Sequence, residues 1–85
     1  MAISIQHLSG GGASLEFSTA DLAAVRTAIA HRYGRMRRRW FVVAAEVTFG
    51  GERFAFQNEW NDPCLISHSE RGVKMLELIA DDLGA

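Results

Sequence analysis

Apolar and polar residues alternate along ISIQHL at 3–8, stop at a run of three glycines, and alternate again along ASLEF at 13–17 with Leu15 and Phe17 on one side. A period of two marks a strand with one buried face, and Gly10, Gly11 and Gly12 supply the positive φ angles of a tight turn. The pattern predicts a hairpin. Beyond it the period changes: Leu22, Val25, Ile29 and Tyr33 recur at helical spacing. Ser18 or Thr19 stands where an N-cap belongs, Asp21 suits the positive end of the helix dipole, and Gly34 suits the C-cap. A helix is predicted over about 20–33. Opposite its apolar stripe lie Ala20, Ala24, Thr27, Ala28 and His31, a face without formal charge that fits either simple helix propensity or packing against another helix or a second copy.

WFVVAAEVTF at 40–49, the pair Gly50-Gly51, and ERFAFQNEW at 52–60 read as two strands joined by a two-glycine turn. That turn fixes a register in which Phe49 faces Glu52, Val47 faces Phe54, Ala45 faces Phe56, Val43 faces Asn58 and Phe41 faces Trp60. Nearly all the large apolar groups then share one side. The other side carries Trp40, Val42, Ala44, Glu46 and Thr48 against Arg53, Ala55, Gln57 and Glu59. Asn61-Asp62-Pro63 reads as a turn, and CLI at 64–66 as a short strand. Ser67 with Glu70 three residues on has the form of a capping box for a last helix over about 68–83. Val73, Leu76, Ile79, Ala80 and Leu83 form its apolar stripe, Glu70, Glu77 and Asp81 line one flank, and Leu78 stands isolated among Arg71, Lys74 and Asp82.

The resulting order, β-β-α-β-β-(β)-α, predicts one α+β domain over 1–85: an antiparallel sheet with two helices packed on one face. A chain of 85 residues buries a modest share of its surface, which makes a partner subunit a reasonable expectation. The single cysteine, Cys64, rules out an internal disulfide, and the absence of a signal-peptide pattern leads us to expect a cytoplasmic protein. No apolar run is long enough to cross a membrane as a helix.

Charge is unevenly spread. Residues 22–45 hold six arginines and no acid, whereas residues 46–85 hold eight acids against three bases. Such segregation speaks to partners and self-association rather than to fold.

Catalytic and metal-binding patterns are weak. Cys64 and His68 are four residues apart at a strand-to-helix junction, where a dipole and an imidazole would activate a thiolate, but nothing in the sequence supplies a third group to orient the histidine. His7, His31, His68, Cys64 and Asp62 lack the paired spacing of a zinc site, so neither metal nor cofactor is expected. Glu46 and Glu59 fall near each other on the polar sheet face, with Arg53 there to pair with either.

The arginine run GRMRRRWF at 34–41 is the strongest signal. Arg35, Arg37, Arg38 and Arg39 could neutralise phosphates, with Trp40 as a stacking platform. The helix-strand-strand-strand-helix order from residue 20 onward also resembles double-stranded-RNA-binding domains. However, SHSERG at 67–72 lacks the lysines those domains place at the start of their last helix, and a pI of 6.3 is low for such a module. A protein-binding surface is therefore preferred over a nucleic-acid one. Alternation back from the strand puts Arg38 on the open face with Trp40 and Val42, and turns Arg37 and Arg39 toward the helices. The expected partner-binding set is Arg35, Arg37, Arg38, Arg39, Trp40, Val42 and Arg53, in a non-enzymatic protein that binds another protein or itself.

Overall fold

A computed structural model of the chain describes residues 2–40, 45–59 and 62–85, without the side chains of Trp40 and Glu59. Strands β1 (Ser4–His7) and β2 (Ala13–Glu16) form the expected hairpin, with Ile5 opposite Leu15. Its turn closes through Leu8 N–H donating to the Gly12 carbonyl at 2.8 Å, while Gly10 and Gly11 adopt φ of 88° and 98°. A 3₁₀ turn over Thr19–Asp21 leads into α1 (Leu22–Tyr33). Four strands follow, β3 (Arg37–Trp40), β4 (Ala45–Phe49), β5 (Glu52–Glu59) and β6 (Asp62–Ser67), and α2 (Glu70–Asp82) closes the chain.

All six strands join one antiparallel sheet in the order β1-β2-β6-β5-β4-β3. The α+β architecture is as expected, with both helices packed on one face of the sheet. Leu15, Val47, Phe54 and Leu65 from the strands meet Val25 and Ile29 of α1 and Met75, Leu76 and Ile79 of α2 in a single core. Phe49 stacks on Phe54 at 4.2 Å between ring centroids, and Tyr33 tilts against Phe49 at 5.6 Å. The β4–β5 hairpin has the predicted register from Phe49↔Glu52 to Ala45↔Phe56, with both Gly50 and Gly51 at positive φ. The pairings expected for Val43 with Asn58 and Phe41 with Trp60 lie outside the described residues.

Three expectations are corrected. The strand expected at 40–49 is two strands: β3 begins at Arg37 and pairs antiparallel with β4, Trp40 lying opposite Ala45. An unbroken apolar run such as WFVVAA carries no period from which a boundary could be read. The last strand starts at Asp62 rather than after a turn ending at Pro63. Proline is tolerated near the start of that strand because only its carbonyl is required, and it accepts from Phe17 N–H at 3.2 Å. Finally, α2 is capped by Ser69, not Ser67. The Ser69 hydroxyl accepts from Gly72 N–H at 2.9 Å, whereas Ser67 ends β6 and is buried. The buried stripe of α2 is Gly72, Met75, Leu76, Ile79 and Ala80, and Val73 and Leu83 of the expected stripe are only half-buried.

Candidate functional site

Two surfaces hold the residues that the sequence singles out. The first is the sheet face away from the helices. The register places Gln6, Ser14, Ile66, Ala55, Glu46 and Arg39 in one row across all six strands. A neighbouring row runs Arg53, Thr48, Arg37, and another runs Ser4, Glu16, Cys64, Gln57. The middle of this face is therefore small and uncharged, with Ile66, Ala55 and Cys64 half-buried, and its β3–β5 side carries Arg37, Arg39 and Arg53 around Glu46. A shallow groove of about 590 Å³ crosses it, lined by Glu46, Arg53, Ala55, Ile66 and His68 among others. Ser14 is 3% exposed, and its hydroxyl has no hydrogen-bond partner among the described residues.

The second surface lies on the helix side. Across β3 and β4, Arg38 stands opposite Val47, whose side chain is in the core. The face assignment of the arginines is thus the reverse of the expected one: Arg37 and Arg39 belong to the open face, and Arg38 to the side of the helices. The cause is the strand break. Expected alternation continued from β4 through Trp40, but in an antiparallel pair the partner of Val47 is even-numbered, so parity inverts. Arg38 joins Arg26, Arg35, Ala23, Thr27, Ala30, Gly34 and Met36 around a groove of about 560 Å³ beside α1. Arg26 was not singled out by sequence, because the other arginines of this groove lie nine and twelve residues away, Arg35 after the end of α1 and Arg38 in β3. The only signal was its i, i+4 spacing to Ala30 and its place three residues after Ala23. Of the expected set, Arg35 and Arg38 line this groove, Arg37, Arg39 and Arg53 share the open face, Trp40 is placed only through its pairing with Ala45, and Val42 is outside the described residues.

The uncharged outer face of α1 lines a third concavity of about 850 Å³, with Ala24, Thr27, Ala28 and His31 on one side and Leu83 on the other. At its rim Arg32 donates from Nε and Nη2 to the two carboxylate oxygens of Asp82, each at 2.8 Å. These bonds hold the Asp82 carboxyl below its usual pKa and raise that of Arg32.

Nucleophilic chemistry at Cys64 loses its proposed partner. Strand β6 runs through Ser67, so four residues of extended chain put Cys64 and His68 roughly 13 Å apart. His68 instead lies against Gly12, where a Cβ would come within 2.9 Å of its Nδ1. Among the described residues, no three His, Cys, Asp or Glu side chains gather in a way that could hold a metal ion. Nor is any described helix long and apolar enough to cross a membrane. Near the start of α2, Ser69 Oγ donates to Glu52 Oε1 at 2.5 Å and Arg71 Nη1 approaches Glu52 Oε2 at 3.7 Å, a network that ties the helix to β5. The likeness to double-stranded-RNA-binding domains also weakens, since among the described residues four strands rather than three separate the two helices. The chain matches no protein-family model, no curated protein and no solved structure.

Proposed function

We propose that the chain is a small, cytoplasmic, non-enzymatic interaction protein that binds another protein through the open face of its sheet. One observation carries this reading: both helices cover the same side of the sheet, leaving a face whose centre is Ile66, Ala55 and Cys64 and whose edge is Arg37, Arg39 and Arg53. An apolar centre with charged residues, arginine above all, around it is the usual layout of a protein interface. Arginines on the edge strand steer the encounter, and they also discourage unwanted pairing of that strand with another sheet. Glu46, directly opposite Arg39, favours a partner of mixed charge over a phosphate backbone.

The test is affinity capture from native lysate with the wild-type chain and with Ile66→Asp and Arg39→Glu, each repeated after nuclease treatment. A protein that is retained by wild type, survives nuclease and is lost with either variant supports the reading. Capture of nucleic acid alone, or of proteins that vanish with nuclease, overturns it.

A further inference from the structure

From the charge layout of the helical layer we infer that this chain associates with a second copy of itself, head to tail, by seating the acidic flank of α2 in the arginine groove beside α1. Both halves of the contact are present on one molecule. Arg26, Arg35 and Arg38 line the groove beside α1, and none of its described lining residues is an acid. Glu70, Glu77 and Asp81 are exposed on α2. Lys74, one turn from Glu70, moderates that flank but leaves it acidic. Within the molecule Glu77 is turned away from this groove. Glu77 lies 3.8 Å from His7 on edge strand β1, whereas the groove includes Arg38 of β3, the opposite edge of the sheet.

The two surfaces also match in length and shape. Glu70 to Asp81 spans roughly 16 Å of helix, and Arg26 to the end of α1 roughly 10 Å with Arg35 beyond it, at 1.5 Å of rise per residue. A compact anion such as a single phosphate suits the groove poorly, because the end of α1 presents carbonyls and the negative end of the dipole, and Gly34 N–H is already bonded to the Ala30 carbonyl. Carboxylates spread along a helix reach the separate guanidinium groups in turn. Between them, Ala23, Ala30 and Gly34 let a second helix approach closely. Because donor and acceptor surfaces lie on opposite edges, each copy leaves its other edge open, and the contact is heterologous: it propagates or closes into a ring rather than stopping at a two-fold dimer. This contact is separate from the open sheet face, so the two are tested by different residues.

The experiment is sedimentation velocity from low to high micromolar protein, at low and at physiological salt, on wild type, on Arg26→Glu/Arg35→Glu, on Glu77→Arg/Asp81→Arg, and on an equimolar mixture of the two variants. Wild type should show association that grows with concentration and weakens with salt. Each charge-reversed variant alone should associate at least roughly tenfold more weakly. Their mixture should recover association, because the arginine groove of one then meets only the acidic flank of the other. Circular dichroism melts establish that both variants fold, and Arg35→Gln, a milder change, should give an intermediate weakening. A wild-type chain that stays monomeric throughout, or a mixture that recovers nothing, overturns the inference. So does association that Arg39→Glu on the open face abolishes while the groove variants leave it intact.

Discussion

Arg38 stands opposite Val47 across the β3–β4 pair, so the arginine run is divided, with Arg38 on the helix side and Arg37 and Arg39 on the open face. The division has a direct energetic signature. Arg39 lies opposite Glu46, and Arg37 lies opposite Thr48. Arg39→Glu places two carboxylates in a cross-strand pair and should destabilise the fold by about 0.2–1 kcal/mol, whereas Arg37→Glu should fall within about 0.5 kcal/mol of wild type. Urea unfolding of the two variants measures the difference. Equal midpoints, or a larger loss for Arg37→Glu, would contradict this register.

That division also marks where the sequence stops being informative. The β4–β5 register could be read because Gly50-Gly51 pins the turn and the large apolar residues Val47, Phe49, Phe54 and Phe56 alternate with small or polar ones. Helix α1 was legible from its stripe and from Gly34, which takes φ of 79° at the C-cap. The boundary between β3 and β4 was not, since it falls within an apolar run where neither a period of two nor a turn residue appears. The face assignments of Arg37, Arg38 and Arg39 depended on that boundary and inverted together, whereas that of Arg53, set by the β4–β5 turn, held. The N-cap of α2 failed for a different reason: Ser67 and Ser69 both have the right chemistry, and only the extent of β6 decides between them.

Gly72 lies in the first turns of α2, where replacing glycine by alanine ordinarily stabilises a helix by up to about 1 kcal/mol. Here the sign should reverse. A Cβ on Gly72 would overlap Ser67 Oγ and come within 2.8 Å of Ser69 Oγ and 2.9 Å of Ser67 Cβ. Strain of that kind in a packed site costs about 1–3 kcal/mol, so Gly72→Ala should lower the urea midpoint. Adding Ser67→Ala removes the worst overlap and should recover part of the loss despite deleting a hydroxyl.

Ser14 and Ser67 make a contrasting pair of buried serines. The Ser67 hydroxyl accepts from Ser69 N–H at 3.2 Å, but that of Ser14 has no partner among the described residues. Removing a hydroxyl that is already unpaired leaves nothing new unsatisfied, so Ser14→Ala should be neutral or stabilising by up to about 1 kcal/mol. Ser67→Ala should instead cost about 0.5–1.5 kcal/mol, the net worth of a typical hydrogen bond. Chemical denaturation of both single variants gives the comparison. A Ser14→Ala loss as large as that of Ser67→Ala would mean that the Ser14 hydroxyl is bonded after all.

Two carboxylates tie distant parts of the chain together and set its response to acid. Asp21 accepts from Ser18 Oγ at 2.8 Å and from Ala2 N–H at 3.1 Å, and these bonds, the one from Ser18 foremost, hold its pKa below the ordinary value. Asp82 is held down in the same direction by Arg32. A folded-state pKa below the unfolded one means that the unfolded chain binds protons first as pH falls. The contribution of each group is therefore complete above the unfolded aspartate pKa of about 3.9 and is lost as pH drops through the folded value. Thermal melts should show a stability plateau near neutrality and a fall below about pH 4. Asp82→Asn should lower the melting temperature at pH 7 and flatten that acid limb, with little effect at pH 2. Asp21→Ala should do the same by releasing Ala2, and with it the N-terminal segment, from the start of α1. Melting curves whose acid limb is unchanged in both variants would place the acid sensitivity at other carboxylates.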